Sequence, residues 1–159
     1  MSSGSHDQPQ SDTGPRRRAM SAIAAAERGF LEEAWDRIAA RPGWSWLRKP
    51  EAGLVMVHGR AGGGGAPFNL GEVTVTRCAV SLETGEAGFA WIMGRDAEKA
   101  RLAALIDALW QRDDRRAEIE EIVVAPALAA RAAEDKATAD RTAATKVDFF
   151  TMVRGEDEE

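Results

Sequence analysis

The sequence has a single cysteine, Cys78, and only two histidines, His6 and His58. One cysteine excludes an internal disulfide and a cysteine-based metal cage, and it fits a reducing compartment. With so few imidazoles, no metal site built from this chain alone is expected. Long apolar runs are also missing. Nothing approaches the roughly 18–20 residues needed to cross a bilayer, and the opening MSSGSHDQPQSDTGPRRR lacks the apolar stretch of a secretory signal. These absences lead to the expectation of a soluble, cytoplasmic protein with no membrane partner. An excess of positive charge is absent as well: 21 Lys and Arg face 26 Asp and Glu, for a net charge of −5. Four of those five charges sit in the last four residues, EDEE, so the body is close to neutral. That argues against nucleic-acid binding, while leaving room for a few arginines to hold a small anion.

What is present suits one α+β domain. The 159 residues, 44% of them hydrophobic, are enough for a single core. Residues 1–15 are rich in Ser, Gly, Gln, Asp and Pro, with too little apolar surface to offset ordering, and read as a disordered tail. Residues 16–155 form the expected domain, and 156–159 are an acidic tail. From Arg16 to Ala40 two helical patterns adjoin, with Gly29 between them; Phe30, Leu31, Ala34, Trp35 and Ile38 make an apolar stripe. The prolines of RPGWSWLRKP end that region. Between Gly53 and Gly94 the stretches GLVMVHGRA, LGEVTVTRCAVSL and GFAWIMG predict a three-stranded antiparallel meander, with ETGEAG as a tight reversal. Asp96 is a good N-cap for the next helix, which is polar only at Arg101 and Asp107 between Ala100 and Trp110 and so should be covered on more than one side. Pro126 opens a long Ala-rich helix with Leu128 as its only large anchor. A terminal extended segment, KVDFFTMVRG, follows.

Several residues invite a chemical reading. The run GGGG at 62–65 is followed by neither the Lys-Ser/Thr of a P-loop nor a helix, so it reads as a flexible hairpin connection or as a loop approached closely by a ligand or partner. Arg60, Arg77, Arg95 and Arg154 lie in or at the ends of extended segments, and three adjoin glycine. Their planar forks match phosphate or carboxylate, though an ordinary ion pair is the commoner use. Arg77 shares a strand face with Val73, Val75 and Ala79, where a lone charge is costly, and therefore requires a definite partner. Asp107 is a candidate catalytic carboxylate, but a buried link to an arginine or to backbone is the better reading. His58 reads as a strand residue sooner than a base. Trp44 and Trp46 either stack on a base or cap the core edge. VDFFTMV is either a last strand of the sheet or a plug for a partner's groove.

Taken together and in order, AGLVMVHGRAGGGGAPFNLGEVTVTRCAVSL, GFAWIMGRDAEKARLAALIDAL and KVDFFTMVRG resemble the G subunit of bacterial carbon-phosphorus lyase over about residues 52–155. Where that family commonly has Gly-Gly-Thr-Gly, this chain has Gly64 in place of the threonine. The resemblance implies a subunit that acts with the H, I and L subunits to displace adenine from MgATP by an alkylphosphonate, and that joins H, I and J in a core complex. It implies no cofactor bound by this chain alone and no metal, with MgATP a substrate of the complex. On that reading Arg60, Gly62, Gly63, Gly65, Arg77, Arg95, Asp96 and Arg154 are candidates for substrate or partner binding, and Phe149, Phe150 and Met152 for a partner interface. Two readings compete with it: a structural adaptor that shapes the I subunit without touching substrate, and an autonomous nucleotide-binding module.

Overall fold

The computed structural model describes residues 13–60 and 64–145. Among them the order is α1 (Thr13–Ala25), α2 (Arg28–Arg37), β1 (Trp44–Arg60), β2 (Pro67–Leu82), β3 (Ala87–Met93), α3 (Ala97–Trp110), α4 (Asp113–Ile119) and α5 (Ala125–Ala144). A π turn, Glu120–Val124, joins the last two helices. The strands form an antiparallel sheet in the order β1-β2-β3, the expected meander. The fold is α+β.

Alternation along the strands sorts the side chains. Thr76, Cys78, Val80 and Leu82 of β2 and Gly88, Ala90 and Ile92 of β3 point inward. Against them lies α3, buried from Leu102 to Trp110, which α1, α2 and α4 cover on its remaining sides. Each fully buried Leu or Ile there contributes about 1.5–3 kcal/mol. The helix rests very close to the sheet at Gly88, where a Cβ would stand 1.9 Å from the Ala104 carbonyl oxygen, so only glycine fits. The β2–β3 reversal turns on Gly85 at φ +107°, with the Leu82 N–H donating to the Glu86 carbonyl at 2.9 Å. All these helices lie on one face of the sheet.

Four local details differ from expectation. The first helix begins at Thr13, inside the stretch read as tail. The break between α1 and α2 falls at Ala26–Glu27 and not at Gly29, which lies within α2. The third is at β1, which starts at Trp44, well before Gly53, and runs through Pro50. Pro50 is tolerated because β1 slips register between Arg48 and Glu51, so its missing N–H falls at an irregularity in the ladder. The last is at Pro126, where α5 does not start afresh but continues α4 through the π turn, whose wider winding is marked by the Ala125 N–H bonding back to the Glu120 carbonyl. A proline ring clashes with the carbonyl four residues earlier, here Ile122, and the wide turn falls where that strain would build. Glu120 ties the turn to its neighbours by accepting from Trp110 Nε1 and from Arg18, each at 2.7 Å.

Candidate functional site

The arginines singled out by the sequence do not converge. Arg60 ends β1 on the β1–β2 hairpin, where its Nη1 donates to the Gly65 carbonyl at 3.1 Å. Arg77 stands opposite Glu51 on β1 and Trp91 on β3. The strand from Glu51 to Arg60 spans about 30 Å at roughly 3.3 Å per residue, so Arg60 and Arg77 cannot share one small anion within this chain. Arg95 is exposed beyond β3. Asp96 is engaged as the N-cap of α3, its Oδ1 accepting from the Lys99 N–H at 2.9 Å, with Arg28 3.9 Å from its Oδ2. A Cβ at Gly64 would meet no atom of the described residues within 4 Å. Gly62, Gly63, Phe149, Phe150, Met152 and Arg154 lie outside the described residues.

Arg77 does share a strand face with Val73, Val75 and Ala79, but that face looks away from the helices. The required partner is internal: Nε donates to Glu51 Oε1 at 2.7 Å, and the guanidinium carbon sits 5.7 Å from the centre of the Trp91 ring. Arg77 and Trp91 form a non-hydrogen-bonded pair across β2 and β3, where side chains approach most closely. Arg77, and then Arg48, hold the Glu51 carboxyl below the usual carboxylate range.

Asp107 resolves toward structure. It is 2% exposed and accepts a bidentate pair from Arg16, Nε at 3.0 Å and Nη2 at 2.8 Å, as well as the Phe89 backbone N–H at 2.9 Å. The pair raises the guanidinium's pKa further. Trp44 and Trp46 pack edge to face at 4.8 Å against the core margin, the core-capping use. Among the described residues no three His, Cys, Asp or Glu side chains gather as a metal site needs, and no helix is long and apolar enough to cross a membrane.

What the sheet does offer is exposed apolar surface. No described element covers its outer face, where Phe89, Trp91 and Met93 stand in a row. Beyond Gly53 the β1–β2 hairpin reaches past the helices as an arm, exposing Leu54 (64%), Met56, Phe68 and Leu70 (65%). Such patches on a chain this small mark contact surfaces.

Residues 14–155 match the family described as Phosphonate metabolism protein PhnG. The chain belongs to that family. It is also 53% identical over 143 residues to the alpha-D-ribose 1-methylphosphonate 5-triphosphate synthase subunit PhnG of Rhizobium meliloti (strain 1021), covering 89% of this chain and 90% of that protein. Membership agrees with the resemblance carried by the three sequence blocks, and it gives the exposed surface of this PhnG chain a context. Sequence reasoning missed Glu51, Trp91 and the arm as parts of that surface. The signal was in GLVMV: a strand apolar at every position reads as buried on both faces, yet here Leu54 and Met56 lie open.

Proposed function

We propose that this chain is a non-autonomous subunit of a ribose 1-methylphosphonate 5-triphosphate synthase, acting in organic phosphonate catabolism in the cytoplasm. With the H, I and L subunits it serves the transfer of an alkylphosphonate to C1′ of the ATP ribose. A phosphonate oxygen forms the new bond to C1′, the bond from C1′ to adenine breaks, and adenine takes up a proton as it leaves. MgATP is the substrate of the complex; H, I and J are the core partners, and the isolated chain is inactive. The observation that carries this reading is the likeness, over nine-tenths of each chain, to a protein named as a subunit of that synthase. The projecting apolar arm supports it, since an element with no layer to pack on in its own chain is completed by a neighbour.

The second reading is a structural adaptor that shapes the I subunit and touches no substrate. It is favoured by the internal engagement of Arg77 and Asp96 and by the distance between Arg60 and Arg77. Charge reversal at Arg60, Arg77, Arg95 and Arg154, one at a time, in a reconstituted complex separates the two. Lost turnover with intact assembly supports substrate contact at that arginine. Lost assembly supports the adaptor, and no change at any of the four removes these arginines from the account.

A further inference from the structure

The hairpin arm leaves the body at an irregular point of the sheet. Trp46 pairs with Val80, Arg48 with Ala79 and Glu51 with Arg77, so β1 carries an extra residue on either side of Arg48 while β2 runs straight past. An extra residue bends its strand, adds local twist and leaves backbone groups out of the ladder. Pro50, with no N–H to give, lies in the second bulge. The break falls at the margin of the helical layer. On one side Trp44 and Trp46 pack against the core, and on the other Ala52, Leu54 and Met56 are exposed. The outer face of the sheet carries a closure over this break. Arg48 Nη1 and Arg77 Nε donate to the same oxygen, Glu51 Oε1, at 2.6 and 2.7 Å. Arg48 lies on the body side of the second bulge and Glu51 on the arm side, while Arg77 stands on the opposite strand with its guanidinium 5.7 Å from the Trp91 ring of β3. One carboxylate thus ties the root of the arm to all three strands.

We propose that the two bulges are a hinge for the arm and that the Arg48–Glu51–Arg77 cluster is its latch. The ladder is regular from Glu51 to Val57, so the arm turns as one piece, and the body side of the hinge is fixed by the core. Arg48, Glu51 and Arg77 are each about half exposed, so water and salt reach their contacts. Exposed ion pairs are individually weak. A latch of that strength holds one orientation at rest and yields when a docking surface asks for another. Leu54 and Met56 are therefore presented at an angle governed by the charge of residue 51 and by ionic strength. The device belongs to the chain alone, whichever protein the arm meets.

Pulsed electron–electron spin resonance on the full-length chain reads the arm's angle as a distance. Spin labels at His58→Cys on the arm and Glu33→Cys on α2 report it, and the buried Cys78 stays unlabelled. The expected result is one narrow distribution at low salt, broadened about twofold in 1 M salt, where the screening length falls to about 3 Å. Glu51→Gln keeps the side chain's shape and removes its charge, so it should give the broad distribution at either salt concentration. Arg77→Gln should act likewise, and combining the two should add little, because both remove one shared contact. Three results overturn the proposal: a distribution that stays narrow in Glu51→Gln, which shows a rigid arm; a broad distribution in the labelled parent at low salt, which shows an arm with no latch; or salt broadening undiminished in Glu51→Gln, which assigns the effect to other charges.

Discussion

At the scale of single residues, the Arg16–Asp107 pair decides how α1, β3 and α3 meet. The carboxylate is buried and the guanidinium half-buried, so the two ends are not equivalent. Arg16→Ala leaves a buried charge with only the Phe89 N–H and a distant Gln111 amide for company, and should cost about 3 kcal/mol or more. Asp107→Asn keeps an acceptor for Phe89 and frees a guanidinium that water can reach, so its cost should be smaller. Urea unfolding of both variants checks the order, and equal losses would contradict it. Cys78 is the second case: its thiol donates to the Ala100 carbonyl at 3.0 Å, and burial pushes its pKa from 9.0 up to about 11. Below pH 9 the thiol is neutral in both folded and unfolded chains. As pH rises from about 9 to 11 the unfolded thiol ionises first and stability falls. Cys78 should therefore resist thiol reagents at pH 8 until the protein unfolds, and rapid labelling of the native chain would contradict its placement.

At the scale of elements, the sequence is most readable where local chemistry and tertiary demand agree. Asp96 caps α3, and the apolar circumference of that helix correctly implies cover on several sides. The three strands and the Gly85 reversal follow from alternation and turn residues. Legibility fails where a tertiary solution overrides a local signal. Pro50 sits in a strand because the register slips beside it, and Pro126 sits within a continuous helical path because the π turn absorbs its ring. Parity along β2 places Arg77 with the right neighbours, but parity alone cannot say which face meets the helices. The hairpin arm supplies the test at this scale. Leu54→Thr and Leu70→Thr keep strand propensity and remove apolar bulk, so each should shift unfolding by under about 0.5 kcal/mol. Together they should weaken association with partner subunits by tenfold or more, about 1.4 kcal/mol, measured by titration against the purified partners. A full loss of folding would show the arm to be part of the core, and unchanged binding would show it to be no contact.

At the scale of the whole molecule, one face of the sheet carries the helical layer and the opposite face, with the arm, carries exposed aromatic and aliphatic side chains. The sequence grouped Arg60 and Arg77 but could not show their arrangement, because they are separated by most of the length of the hairpin. That distribution fits a chain whose charged and apolar groups are spent along an interface, with whatever chemistry the assembly performs gathered from several subunits. The most direct measurement is native mass analysis of what stays together when this chain is co-expressed with the proposed H, I and J partners and purified through a tag on one of them. A stoichiometric complex containing this chain is the expected result. Recovery of a complex that lacks it, with this chain monomeric and folded in solution, would show that it is no subunit of that assembly.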